Sequence, residues 1–106
     1  MLVEMRTYTL HIGKASEYVR IYQELGLEPQ KRILGNMLGW FTTEIGPLNQ
    51  IVHMWGYDSY EDRELRRKKL FEDPQWKEFL AHARPLMINQ ESKLLTPAPF
   101  SPIGAE

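Results

Sequence analysis

The stretch "IGPLNQIVHMWGYDS" (residues 45–59) decides the fold, because it holds a turn, a strand and a helix start in succession. Gly46, Pro47, Leu48 and Asn49 carry turn chemistry, with Pro47 suited to the second position of a turn. Ile51, His53, Trp55 and Tyr57 then share one parity, and alternate residues of a strand point to the same face. Ser59, with Asp62 three residues on, resembles a capping box that opens the charged helix "YEDRELRRKKLF" (60–71).

Outward from that stretch, "NMLGWFTTEI" (36–45) is β-branched and aromatic enough for the preceding strand, so 36–58 reads as a hairpin. Residues 1–10 alternate as a first strand, with Glu4, Arg6 and Tyr8 on one side and Val3, Met5, Thr7 and Thr9 on the other. "KASEYVRIYQELGLEPQ" (14–30) places Ala15, Tyr18, Tyr22 and Leu25 at helical spacing, and Gly26 and Pro29 are expected to end that helix. Asp73 as N-cap and Pro74 at the first helical position start another helix, whose apolar stripe is Trp76, Phe79, Leu80 and Ala83. A last strand over roughly 86–96 precedes the proline-rich tail 97–106. The order β-α-β-β-α-(α)-β predicts an α+β, ferredoxin-like sandwich with an antiparallel sheet, in one domain spanning 1–106.

Four residues in the hairpin turn fix a register. If Ile45 pairs with Gln50, Thr43 lies opposite Val52 and Phe41 opposite Met54. The other face then pairs Glu44 with Ile51, Thr42 with His53, Trp40 with Trp55 and Leu38 with Tyr57. Neither face is polar enough to be plainly solvated. Helices cover one face of such a sheet, and the other would leave an apolar patch in water. A homodimer packed sheet to sheet through a two-fold axis is therefore expected.

A formal charge of −1 and a pI near 6.3 argue against nucleic acid or an anionic membrane as partner. The absence of cysteine removes disulfides, thiolate nucleophiles and Cys-based metal sites. Glu4 and Arg6 interrupt the N-terminal apolar run, so it reads as neither signal nor transit peptide, and no stretch is long enough for a membrane span. A cytoplasmic protein without cofactor is expected. His11, His53 and His82 lack ligand spacing and fall on three elements, so no metal site is predicted.

Two constellations carry chemistry. His53 is either a half-buried, hydrogen-bonded side chain or an acid–base group. Arg6 either pairs with Glu4 or Glu44, or grips a carboxylate or enolate oxygen beside the Tyr8 hydroxyl. The site reading takes Arg6, Tyr8 and His53 as the catalytic candidates, with Trp40, Thr42, Glu44, Trp55 and Tyr57 lining a ligand pocket. Its chemistry would be proton abstraction or cofactor-free oxidation of an aromatic substrate. The cationic run "RELRRKK" (63–69) reads as a solvated helix face, with anion binding by Arg63 or Arg67 as the other reading. A non-catalytic dimeric module that binds protein or senses a metabolite, through helix 59–71 and the tail, is the alternative to an enzyme.

Three segments in order, "EMRTYTLHIGK", "LGWFTTEIGPLNQIVHMWGYDSYEDRELRR" and "DPQWKEFLAHARPLMINQESKLLTPAPFSP", resemble the NIPSNAP family over nearly the whole chain. The resemblance implies the dimeric α+β barrel, two ferredoxin-like units with facing sheets, which agrees with the dimer argued from the sheet faces. Other families of that superfamily include cofactor-free monooxygenases, isomerases and haem enzymes, so the fold alone chooses no chemistry. The resemblance supplies no catalytic set to carry over.

Overall fold

A computed structural model describes residues 1–105. Its elements run β1 (Leu2–Leu10), α1 (Ala15–Ile21), a π-helical turn (Tyr22–Gly26), α2 (Leu27–Leu34), β2 (Asn36–Thr42), β3 (Gln50–Tyr57), α3 (Tyr60–Glu72), α4 (Pro74–Ala83), a short 3₁₀ turn (Arg84–Leu86) and β4 (Met87–Leu95). The four strands form one sheet in the order β2-β3-β1-β4, every pair antiparallel. This is the expected ferredoxin-like arrangement. No helix among the described residues is long and apolar enough to cross a membrane.

Both helix starts read from the sequence are present. Ser59 Oγ accepts from the Asp62 amide at 3.0 Å, and Asp73 Oδ1 accepts from the Trp76 amide at 2.9 Å. The first helix differs from expectation. Gly26 and Pro29 do not end it; the helical run continues over 15–34 and stops at Gly35, whose φ of 89° suits glycine. The π turn absorbs the break, with the Leu27 amide donating to the Tyr22 carbonyl. Pro29 has no N–H for the Leu25 carbonyl, and Gln75 Nε2 from α4 donates to that oxygen instead, at 3.1 Å. Gly26 lets α4 approach, since a Cβ there would lie 2.8 Å from the Tyr22 ring and 2.9 Å from Phe79.

The hairpin register also differs. Thr42 faces Ile51, Trp40 faces His53 and Phe41 faces Val52, two residues away from the predicted pairs, with an irregularity between Met37 and Gly39. The loop is longer than the four-residue turn, because Asn49 is tied to the end of β1. Its carbonyl accepts from the Leu10 amide at 2.8 Å, and its Oδ1 from the Gly13 amide at 3.0 Å. A slip of two keeps Trp40, Phe41 and Thr42 on their predicted faces, but beyond the irregularity Met37 lies opposite Trp55 and packs against the core, so the predicted placement of Leu38 on that face is inverted. Thr43, Glu44 and Ile45 also change setting. They leave the strand for the hairpin loop, where Glu44 is exposed.

The helices cover the face that carries Glu4, Arg6, Tyr8 and Leu10 of β1 and Ile51, His53, Trp55 and Tyr57 of β3. Against it pack Tyr18, Tyr22, Leu34, Leu70, Trp76 and Phe79. The covering layer falls short of β4, whose residues 88–95 are exposed.

Candidate functional site

Where the helical layer stops short of β4, a half-open cavity of about 400 Å³ lies between the sheet and the helices. Arg6 and Tyr8 rise into it from β1, Arg67 comes from α3, and Arg84 stands at the end of α4. Tyr18, Trp76 and Phe79 supply aromatic wall, and Gln30 reaches it from α2. Among the described residues, its lining holds three arginines and no carboxylate. That imbalance follows from how β1 and α3 arrange their charges.

Glu4 is fully buried, and its carboxylate accepts four hydrogen bonds. Arg63 donates to it from Nε at 3.1 Å and from Nη2 at 2.8 Å, Arg6 Nη1 donates at 3.0 Å, and Ser92 Oγ donates at 2.6 Å. Burial pushes the Glu4 carboxyl up, but the bonds from Arg63 and Ser92 and the charge of Arg6 outweigh it and hold it down to about 2. Arg63 also pairs with Glu64. Arg6 and Arg63 are thus matched by Glu4 and Glu64, two cations against two carboxylates.

Arg6 turns its Nε to the Tyr8 hydroxyl at 2.9 Å and Nη2 toward Gln90 Oε1 at 3.5 Å. Arg67 is different. It stacks on Phe71, 5.4 Å from the ring centre, and has no carboxylate within ion-pair distance among the described residues. Burial first, and the neighbouring Arg6 charge second, push its guanidinium below the ordinary arginine value.

His53 is adjacent in space but not in the cavity lining. It is 2% exposed, and its ring lies edge-on to Tyr8 at 5.0 Å. The Trp55 indole nitrogen donates to His53 Nδ1 at 2.6 Å, which leaves the proton of the neutral ring on Nε2. Burial, followed by the charge of Arg6, pushes this imidazole down to about 3. It is therefore a neutral, packed group at physiological pH. Trp40 stacks on the same ring at 6.0 Å, while Trp55 and Tyr57 are buried under the helices.

Of the eight residues that sequence reasoning placed at the site, the structure brings Arg6 and Tyr8 into the cavity. His53, Trp40, Trp55 and Tyr57 form the packed sheet surface beside it, Thr42 lies at the exposed end of β2, and Glu44 stands in the hairpin loop. Arg67, Gln30, Trp76 and Phe79 are among the cavity residues that were not in that set. A signal for Arg67 was present: Arg63, Arg67 and Leu70 recur at i, i+4 and i+7, so two arginines share a helix face with a buried leucine. Among the described residues no group of three potential ligands could hold a metal ion.

Comparison with known proteins gives a consistent result. The NIPSNAP family model matches residues 3–102. The NipSnap homolog of Dictyostelium discoideum is 37% identical over 94 residues, which is 89% of this chain and 41% of that protein. The chain thus spans about two fifths of that relative's length. A solved NIPSNAP family protein of unknown function from Agrobacterium tumefaciens is 44% identical with a TM-score of 0.95, covering 97% of this chain and 93% of the other. An antibiotic biosynthesis monooxygenase superposes with a TM-score of 0.67 at 12% identity, over 93% of this chain and all of that one, a likeness of fold alone. The chain belongs to the NIPSNAP family.

Proposed function

We propose that this NIPSNAP-family chain is a homodimeric small-molecule protein that holds an anionic, largely apolar ligand in the cavity between β1, β4 and the helices. The observation that carries this reading is the cavity lining: aromatic walls, three arginines and no carboxylate among the described residues. Mostly apolar lining with a few directed polar groups is how ligand pockets are built, and about 400 Å³ falls within their usual size. Binding is favoured over acid–base catalysis because His53 is sealed and neutral, and Tyr8 already accepts from Arg6.

The dimer reading rests on the sheet face that the helices leave bare. Phe41 is 55% exposed there, and Met5, Val52 and Met54 of the same face are only partly covered. Pairing two such faces would bury the apolar strip without closing the cavity, which opens on the opposite side of the sheet. Calorimetric titration with benzoate and with neutral benzamide tests the ligand reading. Saturable binding of benzoate that is lost in Arg67→Gln supports it, and equal affinity for the two compounds overturns it. Light scattering should give twice the 12.5 kDa chain mass, reduced to the monomer mass in Met54→Lys.

A further inference from the structure

Deepening that reading, and resting on it, we infer that the cavity is built for an aromatic monocarboxylate carrying a second hydrogen-bond acceptor remote from its acid group. Charge matching sets the valency. Glu4 and Glu64 neutralise Arg6 and Arg63, and Arg84 is exposed to solvent, so one half-buried cation, Arg67, is left uncompensated. A single negative charge offsets it. A dianion would bring a second charge into a partly desolvated site whose other unpaired cation, Arg84, is exposed to solvent. The fork of a guanidinium matches the two oxygens of a carboxylate, and Phe71 under Arg67 fixes the plane of that fork.

The second acceptor follows from donors left unspent in the walls. Gln30 is 3% exposed, and its Oε1 is taken by the Tyr22 hydroxyl at 2.6 Å, which leaves its amide N–H₂ to donate. The Tyr8 hydroxyl accepts from Arg6 and so keeps its own proton to give. A buried donor without a partner is costly, and an oxo or ether oxygen on the ligand answers it. The aromatic body follows from the walls, where Trp76 and Phe79 lie 4.8 Å apart with Tyr18 edge-on to Phe79 at 5.8 Å.

The experiment is calorimetric titration of the wild-type protein, at pH 7.5 and low salt, with four probes. These are 4-acetylbenzoate, 4-isopropylbenzoate (the same shape without the acceptor), 4-acetylbenzamide and 4-acetylphenyl phosphate. 4-Acetylbenzoate is expected to bind about tenfold or more tighter than the benzamide, a loss typical of a missing charge-assisted bond. It should also bind several-fold tighter than the isopropyl compound and at least as tightly as the phosphate. Arg67→Gln should lose about tenfold for 4-acetylbenzoate, and Arg84→Gln less than threefold. Tighter binding of the phosphate, equal binding of the isopropyl compound, or a larger loss in Arg84→Gln than in Arg67→Gln overturns this inference while leaving an anion site in place. Absence of binding by all four probes overturns both this inference and the ligand reading beneath it.

Discussion

Replacing Glu4 by glutamine tests the charge architecture on which the site depends. In the native protein its carboxylate receives two bonds from Arg63, one from Arg6 and one from Ser92 while fully buried. Its folded-state value, about 2, lies below the ordinary 4.5. Because the folded value is depressed, the unfolded chain binds the extra proton as pH falls through 4.5. The stabilisation is therefore fully present above that pH and is lost as pH falls toward 2. At about 1.4 kcal/mol per pKa unit, Glu4 contributes on the order of 3 kcal/mol at neutral pH. Glutamine keeps the shape but leaves two arginines facing an uncharged group, and breaking a buried ion pair costs about 3–5 kcal/mol.

Urea unfolding at pH 7 should thus place Glu4→Gln about 3 kcal/mol below the wild type, a large part of the roughly 5–15 kcal/mol that a domain possesses. The pH dependence is the more specific readout. Other carboxylates titrate equally in both proteins, so the difference in stability should shrink between pH 4.5 and 2 as Glu4 itself protonates in the wild type. A variant within about 1 kcal/mol of the wild type at pH 7, or a difference that stays constant down to pH 2, would refute the assignment of Glu4 as the keystone of the cluster.

Gly26→Ala should lose about 1–3 kcal/mol in the same assay, because the added methyl meets the Tyr22 and Phe79 rings at under 3 Å. An unchanged urea midpoint would show that α4 does not need the close approach. The His53 ring should stay neutral in NMR titration from pH 8 to 5, with its proton on Nε2, since its value lies near 3. Its folded value is depressed below 6.5, so protons favour the unfolded chain from pH 6.5 downward, and His53 subtracts stability as pH falls toward 3. A chemical-shift step near 6.5 assigned to His53 would contradict its sealed position.

Local chemistry made part of this legible. Ser59 and Asp73 cap their helices as their spacing predicts, because a cap depends on residues three apart. The faces of β1, β3 and residues 39–42 were readable for the same reason, since parity along a strand survives a register shift of two, whereas the irregularity between Met37 and Gly39 inverts the start of β2. The continuation of the first helix past Gly26 and Pro29 was not, because Gln75, fifty residues away from Leu25, satisfies the carbonyl that Pro29 leaves free. The loop length escaped for a similar reason: Asn49 is fixed by Leu10 and Gly13, on another strand's end. Arg6 and Tyr8 could be placed from strand parity, whereas the cavity itself arises from how far α3 and α4 reach across the sheet. No local pattern encodes that reach.

On the proposed reading, the arginines of α3 let one segment serve both stability and recognition. Arg63 and Arg67 sit one turn apart on the inward face of the helix, where an amphipathic pattern calls for apolar residues. The carboxylate that answers Arg63 comes from β1, at Glu4, and that same carboxylate also absorbs Arg6. One turn further along α3 no acid stands opposite, so Arg67 keeps its charge beside the cavity and leans on Phe71. Had β1 carried a neutral residue at position 4, three cations would crowd the same space, and their repulsion would work against the packing of α3 on the sheet. With Glu4 in place, the cluster is stable and a single positive charge remains unanswered. On the proposed reading, the residue that holds α3 against the sheet thus also leaves Arg67 as the half-buried cation that an anionic ligand would meet.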